Sequence, residues 1–154
     1  MNTPNASTLT TGQPVPGVVG RFQQLFNTLA AGDIAGLDQV YSAGIRFTDP
    51  FTSVEGLDEL HTYLEKVYAN VRHCHFDFLD VIVNGDQACL VWVMHLQHPR
   101  LRGGRRVIVH GLSHLIVSGD RIRFHRDYFD AAELLYGNLP LLGPAIRWIR
   151  NYAS

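Results

Sequence analysis

The sequence predicts an α+β fold in which helices come first and an antiparallel sheet follows. Two observations support this. Apolar residues recur at helical spacing in the first half of the chain, and from residue 73 onward their spacing is that of strands. With 154 residues, of which 46% are hydrophobic, the chain can bury the core of one domain. We expect a flexible tail over residues 1–15 and a single domain over residues 16–154, in which residues 131–154 are a helical extension.

Three helices are predicted before residue 70. The first has apolar residues three or four positions apart and is stopped by Gly32. The second starts at Asp33, which can cap its first turn, and ends at Gly44. The third is marked by one apolar stripe between Leu57 and Tyr68. The apolar residues of the first two helices are Val18, Phe22, Leu25, Phe26, Leu29, Ile34, Leu37, Val40 and Tyr41.

The strands are predicted from alternation and from turn residues. A short strand over residues 45–48 ends at Asp49, because the proline that follows disfavours helical geometry. Four long strands then form a meander, and Asn84-Gly85 is a hairpin signal between the first two. The long strands are residues 76–83, 88–96, 107–117 and Arg121–Phe129, and short helices follow over residues 131–136 and 144–152. A sheet that bends strongly around a long helix would leave a conical cavity at its open end.

Composition excludes several classes of function. Thirteen basic and fourteen acidic side chains give a formal charge of −1, which argues against a nucleic-acid binder that works through bulk charge. No apolar run approaches the roughly 18 residues that span a bilayer, and no signal peptide is recognisable. The two cysteines, Cys74 and Cys89, need no partner in a reducing compartment. We therefore expect a soluble cytoplasmic protein.

Two aspartates are candidate acid–base groups. Asp49 ends a strand beside aromatic residues, where a shielded carboxylate can act as a general base, although Asp-Pro is also ordinary turn chemistry. Asp127 shares one face of the last strand with Arg123, His125 and Phe129. If that face is solvated, Asp127 is exposed or pairs with an arginine; if it lines a cavity, Asp127 and His125 form a polar pair that can move protons. The opposite face looks more like core and carries Ile122, Phe124, Arg126 and Tyr128.

Other polar clusters have ordinary alternatives. His73 and His75 share a strand face, as do His110 and His114, but no metal motif occurs, so these pairs can equally be exposed or lie at subunit contacts. Four arginines on a glycine-rich hairpin tip could hold an anion or a nucleic acid, although a solvated hairpin end fits the small net charge better. They are Arg100, Arg102, Arg105 and Arg106. The apolar C-terminal segment predicts a lid over the cavity or the sheet, with a membrane-surface helix as the alternative.

Two groups of motifs resemble the nuclear transport factor 2-like superfamily, which also contains the SnoaL-like polyketide cyclases. The first group resembles ketosteroid isomerases and consists of Gly32-Asp33-Ile34, Tyr41, Phe47-Thr48-Asp49-Pro50-Phe51 and Gly56. The second resembles limonene epoxide hydrolases and consists of Asp120-Arg121-Ile122 and Arg126-Asp127-Tyr128-Phe129-Asp130. The similarity extends over roughly residues 18–130. It implies a cone-shaped barrel, in which a strongly curved antiparallel or mixed sheet wraps around N-terminal helices (a cystatin-like roll), with an internal cavity and a homodimer joined through the sheets.

The resemblance assigns roles to individual residues. Asp49 matches the general-base aspartate of the isomerases, and Asp127 matches the acid-side aspartate of the epoxide hydrolases. The same resemblance implies that the face carrying His125, Asp127 and Phe129 points inward, in contrast to the preference from alternation alone.

Several side chains that complete the active sites of these two enzyme families are missing at the matching positions. The two oxyanion donors of the isomerases fall near Leu25 and Ser113. The arginine and the water-activating aspartate of the epoxide hydrolases fall near Val91 and Val93. Because a base without such donors lacks a large part of catalytic stabilisation, we predict neither steroid isomerisation nor epoxide hydrolysis.

The sequence therefore favours a SnoaL-like protein that holds a small, largely apolar organic molecule in the cone and catalyses cofactor-free isomerisation, aldol-type cyclisation or hydration. Asp49 and Asp127 would handle protons, and His125 would tune or relay them. The predicted ligand-binding residues are Phe22, Tyr41, Tyr63, Trp92, Ser113 and Phe129. No metal, nucleic-acid or membrane partner is expected. The alternative is a non-catalytic ligand-binding or dimerisation module of the same fold.

Overall fold

The computed structural model describes residues 13–29 and 34–135. Its helices are α1 (Gly17–Thr28), α2 (Leu37–Val40), α3 (Leu57–Tyr68) and α4 (Ala131–Leu135). Its strands are β1 (Tyr41–Thr48), β2 (Ser53–Glu55), β3 (His73–Asn84), β4 (Gln87–Gln97), β5 (Arg106–Ser118) and β6 (Arg121–Phe129). Most of the predicted N-terminal tail, the predicted signals at Gly32 and Asp33 and the predicted helix over residues 144–152 lie outside the described residues.

The strands form one curled, unclosed sheet of six strands in the order β2-β1-β6-β5-β4-β3. β1 and β6 run parallel, and all other neighbours are antiparallel. Register shifts interrupt three of these ladders, for example between Phe78 and Asp80 of β3. Such bulges increase the twist and bend of a strand. The α+β class and the curved mixed sheet against N-terminal helices, both predicted from the sequence, are confirmed.

The core lies between the concave face of the sheet and helices α1 and α3. The apolar residues of α1 recur every three or four positions, so that one face of this helix is buried. α3 contributes Leu60 and Leu64, and β4 contributes Leu90 and Trp92. Burying each of these large side chains stabilises the fold by about 1.5–3 kcal/mol. The buried residues of α1 are Val18, Val19, Phe22, Leu25 and Phe26.

The second predicted helix is wrong in its C-terminal half. Of residues 34–44, which the structure describes, Leu37–Val40 are helical, and Tyr41 begins β1, where it pairs with Ile122 of β6. Gly44 therefore lies inside a strand and not at a helix end. The short strand Ser53–Glu55, which pairs with the end of β1, was not predicted.

The first hairpin turns one residue later than predicted. Asn84 pairs with Gln87, so the two loop residues are Gly85 and Asp86. Gly85 has a φ of 62°, which a glycine adopts without steric cost.

A bulge in β6 changes which side chains face the core. The register between β5 and β6 shifts at Arg123, which has no partner on β5. Ile122 and His125 are therefore both fully buried, although strict alternation placed them on opposite faces. The expectation that Arg123 shares a face with His125 is wrong for the same reason, since Arg123 is exposed.

The C-terminal segment is described only as far as Leu135. α4 packs against β5, and the Glu133 carboxylate accepts a hydrogen bond of 2.8 Å from the backbone N–H of His110. Between residues 13 and 135, no helix that the structure describes is long and apolar enough to cross a membrane.

Candidate functional site

A pocket of about 410 Å³ lies between α3 and the concave face of the sheet. Its wall is mostly apolar and rich in aromatic rings, and two carboxylates reach it: Asp49, which follows β1, and Asp127, near the end of β6. Among the described residues, no lysine or arginine lines it. Its volume is within the range of small-molecule sites, which begins near about 300 Å³.

Asp127 is held by two hydrogen-bond donors. Its Oδ1 accepts a bond of 2.5 Å from Ser113 Oγ and one of 2.7 Å from His125 Nε2. Trp92 Nε1 donates to Ser113 Oγ at 2.9 Å, and because an indole nitrogen can only donate, the proton of Ser113 is directed to Asp127. Oδ2 has no hydrogen-bond partner within residues 13–29 and 34–135, so it remains available to a ligand.

His125 supports Asp127 from the core. Its Nδ1 lies 2.8 Å from Tyr41 Oη, and its side chain is completely buried. Because the Asp127 carboxylate can only accept at Nε2, a neutral ring in this arrangement has its proton on Nε2 and accepts the Tyr41 proton at Nδ1. Burial, with a smaller effect from the Asp127 charge, raises the pKa of Tyr41 well above 10.0, so its hydroxyl remains a donor. The phenylalanine rings around the imidazole are Phe22, Phe26 and Phe47.

Asp49 is fixed by the turn that follows β1. Its Oδ1 accepts the backbone N–H groups of Phe51 at 2.8 Å and Thr52 at 2.9 Å, which is the hydrogen bonding of an Asx turn. Tyr63 of α3 donates its hydroxyl proton to Oδ2. Turn chemistry and a place in the pocket therefore occur together, and the two interpretations of Asp49 from the sequence do not exclude each other.

The Tyr63 hydroxyl presents its oxygen, and not its proton, to the pocket. Burial, the hydrogen bond to Asp49 and the negative charges of Asp49 and Asp127 all raise the pKa of Tyr63 well above 10.0. The hydroxyl therefore stays protonated, and because its single proton is used in the bond to Asp49, only its lone pairs are free.

The structure brings only part of the predicted site together. The predicted residues that line the pocket are Asp49, Tyr63, Trp92, Asp127 and Phe129. The predicted residues that are buried and do not line it are Phe22, Tyr41, Ser113 and His125. The expectation that Tyr41 shapes the pocket is therefore corrected. Tyr41 contacts the imidazole of His125 instead, because the bulge in β6 turns this imidazole into the core.

Sequence reasoning missed one wall of the pocket. Val67 and Tyr68 of α3 line it, together with Cys74, Met94 and Leu101. The apolar stripe of α3 is visible in the sequence, but the same spacing serves a helix that packs on a core and one that borders a cavity. Burial raises the pKa of the Cys74 thiol to about 11, and the nearby Tyr68 hydroxyl has a smaller effect that lowers it.

The other clusters noted in the sequence lie away from the pocket. Asp77, on the outer face of the sheet, is hydrogen-bonded to His75 at 3.1 Å and to His95 at 2.7 Å. The bond to His95 contributes most to lowering the pKa of Asp77. In the part of the chain that the structure describes, no three histidine, cysteine or acidic side chains are placed to hold a metal ion. The four arginines of the hairpin tip are exposed around the turn Arg102–Gly104.

A sequence profile for the SnoaL-like domain matches residues 22–125, which is well over half of the chain. The chain belongs to the SnoaL-like domain family. The matched region includes Asp49 and ends two residues before Asp127. The place of Asp127 in the pocket is therefore taken from the structure and not from the profile. No curated protein matches this chain in sequence.

Solved structures with this fold belong to proteins with different assignments. A protein assigned as a polyketide cyclase from Acidithiobacillus ferrooxidans superposes with a TM-score of 0.66 at 16% identity, covering 79% of this chain and 91% of that one. A protein with a ketosteroid isomerase-like fold from Catenulispora acidiphila, in complex with trimethylamine, has a TM-score of 0.68 at 15% identity, with coverages of 81% and 94%. An LEH-like epoxide hydrolase from M. tuberculosis has a TM-score of 0.64 at 19% identity, with coverages of 84% and 94%. At these identities the likeness shows the fold alone.

Proposed function

We propose that this SnoaL-like protein binds a small, largely apolar organic molecule in the pocket and transfers protons on it through Asp127, without a cofactor. The observation that carries the proposal is the asymmetry of the Asp127 carboxylate. Ser113 and His125 occupy Oδ1, whereas Oδ2 is free beside an apolar pocket. A carboxylate that is oriented in this way can accept a proton from a bound ligand at Oδ2 and return it to another position.

The residues behind Asp127 act by positioning it. His125 Nε2–H and Ser113 Oγ–H both donate to Oδ1 whether or not Oδ2 carries a proton, so the carboxyl group keeps its orientation through the transfer. Tyr41 holds the imidazole in the required tautomer. We assign the second proton-handling role to Asp49, because its carboxylate lines the same pocket.

The proposal is tested with a hydrophobic ketone such as para-tert-butylacetophenone. We expect the ketone to raise the melting temperature of the protein, and the protein to accelerate deuterium incorporation next to the carbonyl. Asp127→Asn should lower the exchange rate by about 100-fold or more, since general bases contribute roughly that much, and Asp49→Asn should also slow it. Asp58→Asn is the matched control, because Asp58 is exposed on α3 and does not line the pocket. Equal exchange rates in the wild type and in both pocket variants would contradict the assigned roles.

A non-catalytic ligand-binding module is the second candidate. It is favoured because two donors near the pocket are already used in hydrogen bonds, namely the indole N–H of Trp92 and the hydroxyl of Tyr63. Neither of these two donors is then free to stabilise an oxyanion that forms on the ligand. Stabilisation by the ketone without any accelerated exchange would support this candidate.

We also propose that the protein forms a homodimer through the outer face of its sheet. Ile82, Ile108 and Tyr128 are large side chains on that face, and each is between 43% and 49% exposed. Large apolar side chains exposed on a sheet face can be buried against a second copy of the chain. Analytical ultracentrifugation should give a dimer for the wild type and a monomer for Ile108→Glu; a monomeric wild type would contradict this proposal.

A further inference from the structure

Beside Asp127 and Asp49, the polar side-chain atoms available to a ligand are hydrogen-bond acceptors. Asp127 Oδ2 has no donor from within residues 13–29 and 34–135, and Asp49 contributes a second carboxylate. The oxygen of Tyr63 offers only lone pairs, because its proton is used by Asp49. The N–H of Trp92 is likewise used by Ser113. A ligand therefore meets acceptors where it approaches either carboxylate.

The two negative charges are not neutralised by a basic side chain on the pocket wall. No lysine or arginine lines the pocket among the residues described. Arg126 borders a smaller neighbouring pocket that also touches Asp49 and Asp127. Its guanidinium lies 5.0 Å from the centre of the Tyr128 ring and makes no ion pair with either carboxylate. Among the described residues of the lining, His98 is the one histidine, and its Nδ1 accepts the backbone N–H of Arg100 at 3.1 Å.

Aromatic rings surround the same end of the pocket. The centroid of the Phe129 ring lies 5.7 Å from that of Phe51 and 6.2 Å from that of Trp92. Phe47 and Tyr63 form a second pair at 5.6 Å. The faces of aromatic rings attract cations, most strongly where water is excluded, and rings combined with carboxylates are the usual surroundings of bound organic ammonium ions.

We propose that the ligand of this pocket carries a protonated amine on an apolar body, and that the ammonium group binds between Asp127 and Asp49. Since this names the chemical class of the ligand, it rests on the proposed function of the same pocket. The N–H groups of the ammonium ion donate to Asp127 Oδ2 and to the Asp49 carboxylate, and the apolar body fills the space along α3. A carboxylate in the place of the ammonium group is disfavoured, because it would put a third negative charge beside Asp127 and Asp49, where the protons of Tyr63 and Trp92 are already used.

Three probes of similar shape separate charge from size: para-tert-butylbenzylamine, the corresponding benzyl alcohol and para-tert-butylbenzoate. At neutral pH the first is a cation, the second is neutral and the third is an anion. In calorimetric titrations we expect the amine to bind at least about 10-fold more tightly than the alcohol, and the benzoate to bind most weakly.

The Asn variants locate the source of the preference. Asp127→Asn and Asp49→Asn should each weaken binding of the amine more than binding of the alcohol, and so reduce the ratio of amine to alcohol affinity. Asparagine can still form the Asx turn after β1, so the loop should survive in Asp49→Asn. The control Asp58→Asn should keep the full ratio.

Three outcomes would overturn the inference. If the alcohol binds as tightly as the amine, or if the benzoate binds most tightly, the pocket does not select an ammonium group, although its ligand-binding role stands. If the preference for the amine survives in both Asn variants, the cation binds elsewhere. If none of the three probes binds, the proposed function fails together with the inference.

Discussion

The contact between Gly111 and Trp92 allows a direct test of the packing that supports Asp127. The two residues are directly opposite in the ladder between β4 and β5. A Cβ added at residue 111 would overlap Cη2 of the indole, closer than any real contact, so the indole of Trp92 must move in Gly111→Ala. The hydrogen bond from Trp92 Nε1 to Ser113 would then be lost or weakened.

The expected loss of stability follows from these two effects. Overpacking a core costs about 1–3 kcal/mol, and the loss of a buried hydrogen bond adds roughly 1 kcal/mol. We therefore expect Gly111→Ala to lower the free energy of unfolding by about 2–4 kcal/mol. For a domain of this size, the melting temperature should fall by roughly 4–16 °C.

Urea denaturation followed by circular dichroism measures the change. Gly20→Ala is the matched control, because no atom lies within 4 Å of the added Cβ on the exposed side of α1, and alanine there should stabilise the helix by up to about 1 kcal/mol. The double variant Gly111→Ala/Trp92→Phe should lose less unfolding free energy than the two single variants lose together, because the smaller ring relieves the clash. The expected coupling energy is about 1–2 kcal/mol. Unchanged stability of Gly111→Ala, or strict additivity, would refute the reasoning.

Three further predictions concern the buried polar groups. Tyr41→Phe leaves Nδ1 of His125 buried without a donor, so chemical denaturation should show a loss of about 1–3 kcal/mol. The folded-state pKa values of Tyr41 and Tyr63 lie above 10.0, so their contribution to stability is complete below that pH and is lost as the pH rises through it. Unfolding midpoints measured against pH should therefore fall above pH 10.0, less steeply in Tyr63→Phe; a flat profile would contradict the burial of these hydroxyls. Thiol reagents should modify the half-buried Cys89 before Cys74, which is 5% exposed, and a pocket ligand should slow Cys74 further; mass spectrometry of partly modified protein checks this order.

The fold could be predicted because periodicity reports on local structure. The spacing between Leu57 and Tyr68 gave the bounds of α3, and the alternation between Arg121 and Phe129 gave those of β6. The boundary near Tyr41 could not be found in this way. Leu37, Val40 and Tyr41 have helical spacing, but pairing with β6, which is distant in the sequence, makes Tyr41 the first residue of a strand.

The site was predictable only in part, because alternation fails at a bulge. The unpaired Arg123 puts Ile122 and His125 on the same side of the sheet, and no local pattern in β6 indicates it. The resemblance to known families implied that the Asp127 side chain faces inward. It could not show that Ser113 and His125 donate to only one of the two carboxylate oxygens. That asymmetry depends on the curvature of the whole sheet.

The most direct test of the account is an NMR titration of protein labelled at the aspartate carboxyl carbons. Asp127→Asn identifies the signal of Asp127, and para-tert-butylbenzyl alcohol serves as the titrant. We expect the Asp127 signal to shift in step with binding, while the signals of the exposed Asp77 and Asp120 stay in place. Saturable binding without any shift of the Asp127 signal would show that its carboxylate does not face the ligand.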